Sequence, residues 1–294
     1  EQEKPDAIIL VDYPGFNLRL AKELKQRGFK VIYYISPQVW AWGEKRIDSI
    51  KQNVNKMIVL FDFEKELYQK NGINVEFVGH PLLDRANQTL TKEKFIKSIS
   101  GENKNPLISL LPGSRNNEVC KILPIMLKSA KLIYKEFPSA QFLVLSSSSV
   151  DINIYKKFVN ECDIPIKILG DCHYDAIAHS DLTLVASGTA TLEAAILSTP
   201  MIIVYKVSFL TWAYAKSLIK IPYIGLVNVV AGKQIVPEFI QFKAKPKLIA
   251  NEAISFLKNK EKYNAAKKEL SQIKTHLGLS GASKRAAQSI ISLI

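Results

Sequence analysis

Cysteine is scarce in this 294-residue chain, and Cys120, Cys162 and Cys172 are too few and too scattered for a disulfide framework or a zinc knuckle. A reducing compartment is the default. Long apolar runs are missing too: Glu193, Pro200, Lys206 and Lys216 punctuate the most hydrophobic region, which leaves nothing near the ~18 apolar residues of a spanning helix. There is no Gly-x-Ser-x-Gly elbow, Walker loop or Gly-x-Gly-x-x-Gly fingerprint, and no internal repeat of fixed period. His173 and His179 have no partners at metal-ligand spacing, although Asp171 and Cys172 are near, so no metal is expected. A leading methionine and a signal-peptide pattern are also missing. The chain opens at Glu1 and runs almost at once into a strand, which reads as a fragment.

What is present is ordinary globular material, 47% hydrophobic and 23% charged, enough for two cores or one large one. The net charge of +13 points to an anionic partner or to nothing specific: only six of the 40 basic residues are arginine (Arg19, Arg27, Arg46, Arg85, Arg115, Arg285), and the lysines scatter over helix faces.

Short apolar runs alternate with helical periods, the pattern of parallel sheets wrapped by helices. Ala7–Val11, Val31–Ile35, Met57–Phe61 and Val75–Val78 read as one series of strands, too uniformly apolar for a one-sided sheet. Leu107–Leu111, Gln141–Leu145, Ile166–Leu169, Leu182–Val185 and Met201–Tyr205 read as a second, with helices over Val119–Phe137 and Thr189–Leu197. The polar stretch between the series is the expected linker. Beyond Pro246 the pattern is helical over Lys247–Leu257, Glu261–Leu277 and Ala282–Ile294. The expected fold class is α/β, two doubly wound domains facing each other with a helical C-terminal tail.

In such sheets ligands sit beyond the carboxyl ends of strands. Leu111-Pro-Gly-Ser-Arg115 puts a rare arginine after a Pro-Gly turn, either as a bidentate fork for phosphate, with Gly113 and Ser114 beside it, or as a surface side chain. Ser187-Gly188-Thr189 opens a helix with small residues, which suits phosphate binding, and Glu193 lies on the same side of the mouth, where a carboxylate can take ribose hydroxyls. The bland alternative is a capped helix. Asp12, in Asp12-Tyr-Pro-Gly-Phe-Asn17, is either a general base or a turn residue. Trp40 and Trp42 lie in a loop after a strand, as an apolar substrate wall or as packing. His80 reads as a hydrogen-bonded structural histidine. Phe209, Trp212 and Lys216 belong to a basic, apolar helical segment, either at a membrane interface, in contact with acyl chains, or in the core. Asn228, in an apolar run, is either bonded internally or directed at ligand.

Taken in order, Asp12-Tyr-Pro-Gly-Phe-Asn17, Ser36-Pro-Gln-Val-Trp-Ala-Trp42, Phe77-Val-Gly-His-Pro81, Leu111-Pro-Gly-Ser-Arg115, Ser187-Gly-Thr-Ala-Thr-Leu-Glu193 and Asn228-Val-Val-Ala-Gly232 resemble the lipid-A-disaccharide synthase family over nearly the whole chain. The resemblance implies a GT-B fold and an inverting glycosyltransferase. It would join UDP-2,3-diacylglucosamine to 2,3-diacylglucosamine 1-phosphate through a β-1,6 linkage and release UDP. It implies no metal and no cofactor, since the UDP-sugar is a substrate. It also implies an anionic membrane surface as partner, no nucleic acid, room for a homodimer, and a cytoplasmic enzyme peripheral at the inner membrane of a Gram-negative-type bacterium. The domains implied are a partial acceptor-side domain (1–85), a linker (86–105), a UDP-sugar domain (106–275) and a helix returning to the first domain (276–294).

By position, Arg115, Glu193 and Asn228 match family residues important for activity, the loop 187–189 falls at the nucleotide pocket, and Asp6 and Asp12 match acidic positions. Many relatives carry a second aspartate where this chain has Gly15, which leaves Asp12 as the candidate base. Family members also begin with a further strand and a Gly-Glu-x-Ser-Gly-Asp loop, so the first half of the amino-terminal domain, with part of the acceptor site, is expected to be missing.

Overall fold

The structure is a computed structural model that describes residues 3–99, 105–218 and 221–294. Among the described residues, those up to Arg85, 215–218, 221 and Thr275–Ile294 form one compact unit, and Ala86–Tyr214 with Pro222–Lys274 form another.

The first unit holds four parallel strands in sequential order: β1 (Ile8–Val11), β2 (Val31–Tyr34), β3 (Lys56–Val59) and β4 (Val75–Phe77). Helices Pro14–Gln26, Arg46–Asn53 and Asp62–Lys70 connect them, the first opened by a proline whose missing N–H falls where a helix needs none. Leu10, Val31, Tyr33, Met57 and Val59 point to a core closed by Ile50 and Tyr68. β1 departs from the expectation of two covered faces. It pairs only with β2, and Ile9 and Val11 remain about half exposed among the described residues. The tail helix Ala282–Ile291 packs on this unit. Ser289 Oγ donates to Glu76 Oε2 at 2.6 Å, Lys56 pairs with the same carboxylate at 2.7 Å, and Arg285 Nε donates to the Val78 carbonyl at 2.8 Å.

The second unit holds β5 (Leu107–Leu111), β6 (Gln141–Leu145), β7 (Ile166–Leu169), β8 (Leu182–Ala186), β9 (Met201–Tyr205) and β10 (Glu238–Ile240), all parallel, in the order β10-β9-β8-β5-β6-β7. The chain builds outward from β5 through β6 to β7, then returns to β5's other side with β8. Strand order therefore reverses between β5 and β8, which in open α/β sheets opens a crevice above that pair. Leu110, Val144 and Leu184 face helices Asn116–Glu136 and Pro246–Lys258 across a continuous apolar core. β10 has no counterpart among the expected strands, because three residues after Pro237 carry no apolar run.

The expected linker 86–105 is not a free tether where it is described. Its helix Lys92–Ile99 buries Phe95, Ile96 and Ile99, a spacing that gives one apolar face under a charged surface. Asp175 pins the preceding turn by accepting from the Thr89 and Leu90 amides, each at 2.7 Å, and from Thr89 Oγ1 at 2.9 Å. The stretch is part of the second unit. The remainder, 100–104, lies outside the described residues.

Candidate functional site

In the second unit, the loop after β5 runs Pro112-Gly113-Ser114-Arg115 into the helix Asn116–Glu136. Gly113 sits at φ +116°, a conformation other residues avoid, and the Glu118 carboxyl folds over it. Arg115 Nη1 donates to Glu118 Oε1 at 2.6 Å, while the Ser114 amide donates to Glu118 Oε2 at 3.3 Å. The Arg115 side chain is 78% exposed. These groups, with Lys121, Ser149, Tyr205 and Lys206, line an open cavity of about 840 Å³. Burial and the neighbouring Glu118 carboxylate push the Tyr205 phenol up, and Arg115 pulls it back.

The loop after β8 is anchored rather than loose. Ser187 Oγ donates to the Ile224 carbonyl at 2.9 Å, and Thr191 Oγ1 donates to the Gly188 carbonyl at 2.7 Å. The space beside Gly188 is open, and Thr189 caps the following helix through its backbone alone. Glu193 lines a second cavity, of about 450 Å³, with the post-β7 residues Gly170, Asp171, Cys172 and His173 and with Asn87 and Thr89.

Asn228, expected either to bond internally or to be directed at ligand, bonds internally. It is fully buried, and its amide is saturated by the protein: Nδ2 donates to the Val236 carbonyl (2.9 Å) and to Glu238 Oε1 (2.8 Å), and Oδ1 accepts from the Ile235 and Val236 amides. Glu238 in turn accepts from the Gly225 and Ile224 amides, both at 3.0 Å. Since Ile224 holds Ser187, Asn228 acts on the loop 187–189 through this bracket.

In the first unit, β1 ends in two consecutive left-handed residues, Asp12 (φ +49°) and Tyr13 (φ +46°), and β2 ends in a third, Ile35 (φ +64°). Non-glycine residues hold this shape only where surroundings fix it, and such strain gathers at functional loops. Here the Asp12 carbonyl accepts from Tyr33 Oη at 2.6 Å and Asn17 Nδ2 at 2.8 Å, which leaves the Asp12 carboxylate exposed on the sheet's carboxyl edge. Its charge adds to burial in raising Tyr33 to about 12. Asp6 lies before β1, on the opposite edge. Six residues at about 3.3 Å each separate it from Asp12, so the structure does not bring the two together.

The tryptophan loop is sorted differently from the expectation. Trp40 Nε1 donates to Glu64 Oε1 at 3.0 Å, alongside Ser36 Oγ at 2.7 Å, and its ring stands edge-on to Phe63. Trp40 is thus an anchor, and Trp42, exposed with the Arg46 guanidinium 4.4 Å over its ring, is the available face. Burial raises Glu64 to about 7 and lowers His80 to about 4. His80 Nδ1 accepts from the Leu82 amide, a structural role.

Ser208 Oγ caps the helix Phe209–Leu218 by accepting from the Thr211 amide. Phe209, Leu210 and Tyr214 are largely exposed, with Phe242 packed against Phe209. Trp212 is half-buried, and Lys216 is exposed. Among the described residues no helix is long and apolar enough to cross a membrane, and no three His, Cys, Asp or Glu side chains gather as a metal site.

The family model described as lipid-A-disaccharide synthetase matches residues 1–293. The chain belongs to that family. It is 43% identical over 292 residues to the lipid-A-disaccharide synthase of Syntrophus aciditrophicus, covering 99% of this chain and 76% of that protein. The synthase of Trichlorobacter lovleyi is 39% identical, with coverage of 100% and 76%. Among solved structures, the UDP-GlcNAc 2-epimerase from Neisseria meningitidis bound to UDP-GlcNAc superposes with a TM-score of 0.65 at 14% identity, over 98% of this chain and 77% of that one. The Staphylococcus aureus MnaA–UDP structure gives 0.65 at 12%, over 100% and 76%. At such identities the likeness shows the fold alone, parallel sheets wrapped by helices. Sequence reading missed Glu118, Lys121 and Tyr205, and assigned Lys206 to the basic, apolar segment rather than to this cavity. Glu118 alone was within reach, three residues past Arg115 at the start of a helix, where an acid folds back on the turn.

Proposed function

We propose that this chain transfers diacylglucosamine from UDP to the 6-hydroxyl of diacylglucosamine 1-phosphate with inversion, making the lipid A disaccharide phosphate. The observation that carries the reading lies above the β5–β8 reversal. There Arg115, Lys121 and Lys206 line one cavity, in a chain of this family. Arg115, largely exposed, brings a planar guanidinium to this cavity, a fork suited to the departing diphosphate. Glu193 and the post-β7 loop accept the nucleoside in the smaller cavity, Glu193 taking ribose hydroxyls. Asp12 takes the acceptor's hydroxyl proton, so the first unit serves the acceptor and the second the UDP-sugar. No cofactor enters the scheme. The exposed Phe209–Tyr214 face, with Lys206 and Lys216, rests on an anionic bilayer and admits the acyl chains, placing the protein at the inner face of the membrane.

The test is direct. Arg115→Ala should lower transfer from UDP-diacylglucosamine by about 10²-fold, as loss of one charge-stabilising donor does elsewhere. It should also weaken UDP binding by calorimetry. Full transfer by this variant sinks the phosphate assignment. Leu210→Glu should reduce flotation with vesicles containing anionic lipid, and undiminished flotation would remove the membrane reading.

A further inference from the structure

We propose that Glu118 is a resident anion, a carboxylate that holds the phosphate position above Gly113 until a diphosphate displaces it and so screens the site against simple inorganic anions. The inference rests on the reading of Arg115 as the diphosphate's partner and adds a selectivity device to it.

The carboxylate engages the donors a phosphoryl group would use. Oε1 accepts from Arg115 Nη1 at 2.6 Å and Oε2 from the Ser114 amide at 3.3 Å, in the first turn of a 21-residue helix. It occupies the space over the turn: a Cβ added at Gly113 would meet Glu118 Oε2 at 2.8 Å and Glu118 Cβ at 2.9 Å. It is only 18% exposed, while its partner is 78% exposed. An ion pair so open on one side is worth at most about 1 kcal/mol, and the Ser114 bond is long, so exchange is cheap. Displacement needs a ligand that returns more than the carboxylate gave. A single small anion replaces one carboxylate with one anion. A diphosphate also reaches Lys121 and Lys206 on the same cavity wall.

The experiment measures competition by inorganic phosphate against UDP binding, by calorimetry, in the full chain. Neutralising the competitor should let phosphate compete about 5-fold better in Glu118→Gln than in the wild type, the ratio equivalent to an exposed ion pair. Glu118→Asp, which keeps the charge but shortens the reach, should fall between them and serves if the first variant fails to fold. In an Arg115→Ala background the Glu118→Gln change should have no further effect. Equal or weaker phosphate competition in Glu118→Gln overturns the proposal while leaving the function intact, provided Arg115→Ala still loses UDP. If Arg115→Ala binds UDP as the wild type does, the functional reading fails, and this inference with it.

Discussion

The two sheets hold their carboxyl-edge loops by different chemistry. In the second unit the fasteners do not change charge near neutrality: the Asn228 amide is saturated, and Asp175, lowered by three hydrogen bonds that outweigh its burial, stays ionised. In the first unit they are titratable groups moved far from their usual range, Glu64 up to about 7 and His80 down to about 4. Glu64, raised by burial, clamps Ser36 and Trp40, and His80, lowered by burial, fastens the turn after β4. The contrast follows the ligands proposed for each. A loop offered to a diphosphate needs fixed cations on a frame whose charge does not change with pH near neutrality. A loop that takes a proton from a hydroxyl has no such need and stores its specificity in strained backbone at Asp12, Tyr13 and Ile35.

The largest effect that would break this contrast lies at Asn228. Truncation to alanine orphans the Ile235 and Val236 amides and the Val236 carbonyl, and takes from Glu238 Oε1 one of its two donors, leaving it the Gly225 amide. Several unsatisfied buried groups at about 1–3 kcal/mol each sum to a loss on the order of 4 kcal/mol, readable by urea unfolding. Transfer activity should fall with it, because Glu238 and Ile224 then release Ser187. Activity lost at unchanged stability would instead return Asn228 to direct substrate contact.

This residue shows where sequence stops informing. An asparagine in the apolar run Ile224–Ala231 announces a buried polar group, but whether its partners are ligand or protein depends on Glu238, ten residues on in a strand too short to be seen. The central strands β5, β8 and β9 were legible because burial on both faces makes each a nearly continuous apolar run, while the strand order that reverses between β5 and β8 came only with the structure. Arg115 was legible as a rare residue after a turn. Trp40 and Trp42 were not separable, since adjacent rings in one loop differ only in what lies beneath them, here Glu64 and Phe63. Lys121 was hidden among the many lysines on helices, and Lys206, just past β9, was read with the basic, apolar segment that follows it.

A middle-sized effect tests the titrating frame of the first unit. Glu64, at about 7 when folded, contributes stability fully present below its unfolded value near 4.5 and lost as pH rises through 7. His80, at about 4 when folded, contributes stability fully present above 6.5 and lost as pH falls through 4. Between pH 4.5 and 6.5 the two slopes oppose each other, and the wild type should be nearly flat with respect to this pair. Glu64→Gln should expose the histidine, so that stability rises by about 3 kcal/mol across the window, and His80→Asn should expose the acid, so that it falls by a similar amount. Amide hydrogen exchange in β3 reads the first unit alone. Slopes of the same sign in both variants would show that these groups do not titrate as their burial requires.

The smallest effect concerns Gly15, second residue of the helix Pro14–Gln26, whose first turn has no acid. A Cβ there meets nothing within 4 Å, so an aspartate fits without displacing a neighbour. Gly15→Asp removes a glycine from a helix and adds a carboxylate at its positive end, together worth about 1 kcal/mol of stabilisation. Thermal unfolding checks that gain. Turnover decides the chemistry, because this position holds the second aspartate in many resembling sequences. If Asp12 alone takes the proton, as its exposed carboxylate on a strained, doubly anchored turn supports, turnover should change by no more than about 2-fold, well under the 10²–10⁴ that a general base supplies. A tenfold rise would mean that the helix's second position is where the base belongs and that Asp12 only shapes the turn. The strain at Asp12 and Tyr13 would then serve to present the helix, and the first unit's edge would resemble the second's, a frame that holds still while another residue carries the charge.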